Sequence, residues 1–171
     1  MRTLPLLVAA AALSWPAAAP AAEVFAGLHA HGVKTPLSLN SDREGGADLS
    51  AGIRGGRIAG TPLQPYAFGS VNLEGGTNFL AAGVSARFGD RFYVRPGLGL
   101  AIHDGSASKV DLPDRLALGS RVLFAPELAI GTRVTDRIGV EASWVHFSHA
   151  QLAGKQNPGI DNVGVRLNIR L

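Results

Sequence analysis

The chain has 171 residues, no cysteine, a formal charge of +3 and a charged fraction of only 17%. That is the length of one domain, and it excludes a disulfide framework and thiolate chemistry. No Lys/Arg-rich run marks a nucleic-acid surface, and the 22 glycines suit strands and turns better than helices.

Residues 1–21 read as a secretory signal peptide. Arg2 supplies the positive start, Leu4 to Leu13 the apolar core, and Trp15-Pro16 breaks it. Ala19 and Ala21 then occupy the small-residue positions for cleavage after Ala21, with Ala22 nearly as good a site. The apolar run is too short to span a membrane, and no later stretch is long and apolar enough to cross one as a helix. The expected mature domain is 22–171.

The mature sequence shows alternation broken by Gly, Asp and Pro clusters, which predicts strands. Eight are expected, at residues 23–33, 47–56, 65–73, 77–88, 91–102, 119–134, 137–148 and 161–171. In the last, Val163, Val165, Leu167 and Ile169 oppose Gly164, Arg166, Asn168 and Arg170. In the fifth, Phe92, Val94, Leu98, Leu100 and Ile102 oppose Tyr93, Arg95, Gly97, Gly99 and His103.

A soluble sandwich would turn the apolar face inward, whereas an outer-membrane barrel turns it to lipid. The polar face favours the barrel. It carries many glycines, few lysines, and Arg87, Arg95, Arg133, Arg166 and Arg170 against Glu127 and Glu141. A solvated sheet face would use lysine, and a narrow lumen needs small residues. In lipid an open sheet edge leaves backbone groups unpaired, so the sheet must close. The expected fold is all-β: an eight-stranded antiparallel transmembrane β-barrel of the bacterial outer membrane, with a plugged polar lumen. Pro96 and Pro126 each remove a ladder hydrogen bond, which predicts local bulges.

With both termini in the periplasm, the inner turns fall near 60–64, 89–90 and 135–136. The outer connections span 34–46, 74–76, 103–118 and 149–160. Short inner turns and long outer loops are the bacterial pattern.

Strand seven carries Ile138, Val140, Ala142 and Trp144 on one parity, and His146 and Ser148 continue it. Asp161 shares parity with Val163 and Val165. All three polar residues are therefore expected on the lipid face, at the outer end of adjacent strands, with Trp144 below as an interfacial aromatic. Ionisable groups toward lipid are costly and mark function. A serine hydroxyl needs a base, and the base needs an acid to fix its tautomer. His146 suits the base and Ser148 the nucleophile. Asp161 is the better acid, because the rival Glu141 points into the lumen.

The stretches "HFSHA" and "NPGID" resemble, in order and position, the His-x-Ser-Asn motif and following acid of the lipid A 3-O-deacylase family, the PagL-like acyloxyacyl hydrolases. The resemblance implies an outer-membrane serine esterase without metal or cofactor. It would cleave the ester-linked acyl chain at position 3 of lipid A, with His146 as base, Ser148 as nucleophile and Asp161 as acid. Two positions depart from the family pattern. His149 stands where the family has an oxyanion-stabilising Asn, so its imidazole is expected to donate instead, supported by backbone N–H groups at Ala150 and Gln151. Asp161 stands where the acid is usually Glu.

The expected partners are lipopolysaccharide and outer-membrane lipids, with homodimer formation left open. The alternative readings are an outer-membrane phospholipase and a non-catalytic structural or binding barrel. Among weaker features, His29 and His31 read as a luminal pair rather than a metal site, since no third ligand is evident. "GLGLAIHDG" precedes no helix, so it does not read as a phosphate loop.

Overall fold

The computed structural model describes residues 23–38, 43–113 and 115–171, and it is all strand and loop. The signal-peptide assignment lies outside the described residues. The strands are β1 (Glu23–Ala30), β2 (Ala47–Arg54), β3 (Leu63–Asn72), β4 (Phe79–Ala86), β5 (Phe88–Gly89), β6 (Phe92–His103), β7 (Val122–Arg133), β8 (Ile138–Phe147) and β9 (Ile160–Arg170).

Every pairing is antiparallel between sequence neighbours, β1 pairs with β9, and β4 pairs with β6. The sheet therefore closes. β5 continues β4 along the same face of β6, so the closed barrel has eight strands.

The alternation sorts as a membrane barrel requires. Leu28, Leu80, Leu100, Ile130, Val165 and Leu167 are exposed on the outside. Arg54, Arg95, Arg166, Asp48 and Glu141 are buried within. Inside, the charges are paired. Arg95 Nε donates to Glu141 Oε1 at 2.9 Å, and Arg166 Nη1 to Glu127 Oε2 at 2.9 Å. Such buried charges are tolerated because each has a counter-charge and hydrogen bonds. The outer half of the interior is not polar throughout. Phe79 stacks on Phe147 with centroids 4.0 Å apart, and Leu116 and Leu118 from the β6–β7 loop are buried in the same apolar cluster.

The prolines do not make bulges. The β6–β7 register runs unbroken through Pro96↔Leu128 and Leu98↔Pro126. Each proline instead interrupts the ladder on its other side. The register that pairs Gly97 with Ser85 and Val94 with Phe88 sets Pro96 opposite Ala86, where β4 stops and β5 has not begun. The β7–β8 register, from Glu127↔Val145 to the Phe124↔Ser148 bridge, sets Pro126 opposite His146. A ring without an N–H cannot complete either pair. At Pro65 the lost donor is replaced: Gln64 Nε2 donates to the Gly55 carbonyl at 3.2 Å.

Candidate active site

The site stands at the outer end of β8 and β9. His146 and Asp161 are directly opposed in the β8–β9 register. Alternation puts Ser148, two residues beyond His146, on the same face. His146 Nδ1 lies 2.8 Å from Asp161 Oδ1, and His146 Nε2 lies 2.9 Å from Ser148 Oγ. The sequence-predicted acid, base and hydroxyl are thus joined in one hydrogen-bonded line.

These residues keep the expected place on the outward face, but they are covered there. His146 is only 7% exposed, Ser148 9% and Asp161 0%. The segment following β1 folds over them. Val33 N–H donates to the Asp161 carbonyl at 2.8 Å. Thr35 Oγ1 and Ser38 Oγ both donate to Asp161 Oδ2. Trp144 Nε1 donates to Oδ1 at 2.8 Å. Both carboxylate oxygens are therefore saturated with donors, which is how an ionised acid is held on a desolvated face. Sequence reasoning placed Trp144 nearby as an interfacial aromatic but missed this contact. It missed Thr35 and Ser38 altogether, because nothing in a loop's composition says which strand it will cover.

Two further residues shape the site. Gly159 has φ +68°, and a Cβ there would stand 2.8 Å from His146 Cε1. Pro126, opposite His146, leaves the backbone there without one ladder donor. Counting back from the β7–β8 turn would have found Pro126.

His149 does not stand ready for an oxyanion. Its Nε2–H donates to the Gln156 carbonyl at 2.8 Å, and its Nδ1 accepts the Ala153 N–H at 3.2 Å. Both ring nitrogens are spent tying down residues 149–156, so the expectation of an imidazole donor is corrected. Ala150 and Gln151 are different. They adopt φ of 51° and 61°, closed by a Leu152 N–H to His149 carbonyl bond of 2.9 Å. Left-handed backbone at residues other than glycine costs on the order of 1–3 kcal/mol each and concentrates at functional sites. Among the described residues neither of their N–H groups has an acceptor.

The two histidines of the first strand separate. His29 Nε2 meets Ser143 Oγ at 2.9 Å in the lumen. His31 lies past the strand end and pairs with Asp48 at 2.8 Å and Glu44 at 3.4 Å. Burial opposes its protonation, but these carboxylates outweigh burial and raise its pKa to about 9. No grouping of metal-ligating side chains occurs among the described residues.

A sequence model of the lipid A 3-O-deacylase (PagL) family matches residues 44–170. Among solved structures, the outer membrane enzyme PagL is similar, at 20% identity and TM-score 0.62, over 87% of this chain and 99% of that one. A de novo designed transmembrane β-barrel follows at 8% identity and TM-score 0.56, over 89% and 97% of the two chains. Neisserial surface protein A is similar at 12% and 0.54, over 88% and 96%. These likenesses show the barrel fold. No curated relative matches in sequence. The family match covers most of the chain and includes the whole of β8, β9 and the loop between them, so the chain belongs to the lipid A 3-O-deacylase family, carboxylic ester hydrolases of the outer membrane.

Proposed function

We propose that the chain hydrolyses the ester at position 3 of lipid A through a Ser148–His146–Asp161 triad. The observation that carries this reading is the unbroken line from Asp161 Oδ1 through His146 to Ser148 Oγ. His146 Nε2 takes the Ser148 proton as Oγ attacks the ester carbonyl. The N–H groups of Ala150 and Gln151, two and three residues after Ser148 and without an acceptor among the described residues, receive the developing oxyanion. His146 then returns the proton to the departing sugar oxygen, leaving the acyl group on Ser148. Water, deprotonated by His146, releases the fatty acid and restores the serine. Asp161 keeps Nδ1 protonated throughout and stabilises the imidazolium.

Exposed Leu37 and Leu152, on the two loops beside the triad, offer apolar surface for the acyl chain. The position of the site, at the outer end of the lipid-facing wall, suits a substrate of the outer leaflet.

Mass spectrometry of lipid A from cells making the wild-type protein should show loss of one ester-linked acyl chain, and cells making Ser148→Ala should retain it. An unchanged acyl pattern in the wild-type cells would overturn the proposal.

A further inference from the structure

At the periplasmic mouth, opposite the triad, a cavity of about 270 Å3 is lined by Arg57, Arg87, Arg95 and Arg170, with Glu23 and Gln64. Its charges do not balance. Arg95 is satisfied by Glu141 at 2.9 Å and Glu23 at 3.3 Å. The neighbouring Arg54 uses the same two carboxylates, at 3.4 and 2.7 Å. Those two acids are thereby matched by two arginines. Asp90, on the rim, pairs with Arg133 at 3.1 Å.

Arg57, Arg87 and Arg170 are left over. Among the described residues no carboxylate lies within ion-pair distance of them. Arg87 is also fixed in place: its guanidinium lies 4.0 Å over the Tyr93 ring, and Nη2 donates to the Asp90 carbonyl. Its Nε is buried and has no acceptor.

Like charges gathered in a half-enclosed cavity repel one another and lose hydration, and an anion relieves both costs. Guanidinium forks present paired N–H donors at the spacing of phosphate oxygens. We propose that Arg57, Arg87 and Arg170 form a binding site for a phosphate group. Its place at the periplasmic rim is level with the inner-leaflet headgroups, so the phosphate comes from an anionic phospholipid or from free phosphate in the periplasm. The site is separate from ester hydrolysis, and Ser148→Ala protein should bind phosphate as the wild type does.

The test uses the whole folded protein. In zwitterionic detergent, inorganic phosphate is titrated by calorimetry at ionic strength held constant with chloride. In bilayer nanodiscs containing phosphatidylglycerol, lipid retention is read by native mass spectrometry. A free-phosphate site gives saturable binding in the first arm. A lipid site gives one retained phosphatidylglycerol in the second and no phosphate binding in the first. In either case Arg87→Gln and Arg170→Gln should each weaken binding about tenfold, the loss of one charge-assisted hydrogen bond. Arg91→Gln, off the cavity, should leave it unchanged. Arg57→Gln, at an exposed position, keeps the test open if the others fail to fold, as judged by heat-modifiable migration. Absence of binding in both arms, or binding indifferent to all three arginines, overturns the proposal.

Discussion

His146 and Asp161 are direct cross-strand partners on β8 and β9, and the same pair of residues forms the 2.8 Å Nδ1–Oδ1 contact. The barrel's own register therefore sets the acid–base distance, with no loop intervening. Asp161→Asn keeps the shape but offers an amide where an ionised oxygen accepts from His146. Deacylation should fall by roughly 10⁴-fold, with the barrel still folded. Lipid A mass spectrometry and heat-modifiable migration read the two outcomes separately.

The roof over Asp161 makes a second expectation. Thr35→Val, Ser38→Ala and Trp144→Phe each delete one donor to the carboxylate, and phenylalanine keeps an aromatic ring at position 144, whose tryptophan ring stands 6.3 Å from that of His146. Each should lower kcat by about tenfold, in line with one hydrogen bond to a charged group, and leave KM nearly unchanged. A shift confined to KM would mean that the roof contacts substrate and does not position the acid.

Gly159→Ala should act on the ring rather than on the acid. The new methyl would stand 2.8 Å from His146 Cε1 and 3.2 Å from the Leu37 carbonyl, on a backbone of φ +68°. The expected result is a loss of about 1–2 kcal/mol in stability from the left-handed backbone. A larger drop in turnover should accompany it as the imidazole is pushed off Ser148. Equal effects on thermal unfolding and on activity would argue that only folding was touched.

His31 gives the outer loops a pH dependence. Its pKa stands above the unfolded value, so the folded state holds the proton more tightly. That stabilisation is fully present below about pH 6.5 and is lost as pH rises through about 9. Its partner Glu44 is affected first by burial, which raises its pKa, but hydrogen bonds from His31 and Thr77 bring it below the ordinary carboxylate value. Its contribution is present above about pH 4.5 and fades as pH falls through the lowered value. The hydrogen-exchange protection factors of residues 43–46, taken against the intrinsic rate at each pH, should fall between pH 7 and 10, and His31→Gln should abolish that pH-dependent fall.

Much of this architecture was legible in the residues. A lipid-facing wall and a packed lumen impose a period of two with opposite chemistry on each parity, so Val163 to Ile169 and Arg166 to Arg170 announced their faces. The same parity brought His146, Ser148 and Asp161 together. What escaped was everything a loop decides. Thr35 and Ser38 reach Asp161 across more than a hundred residues of sequence, and no periodicity encodes such a contact. His149 was misread because it follows the last paired position of its strand. Past that point alternation no longer fixes direction, and its ring turned into the loop. Pro96 and Pro126 were recognised as ladder breaks, but placing each break needed the register of both neighbours.

The roof over Asp161 also ties catalysis to assembly. Thr35 and Ser38 follow the first strand, Asp161 opens the last, and β1 and β9 meet only at the seam where the barrel closes. Before the seam closes, the chain holds His146, Ser148 and Asp161, but Thr35 and Ser38 are not yet docked on the carboxylate. On the proposed mechanism, the acid is therefore held for its role only once β1 and β9 are paired.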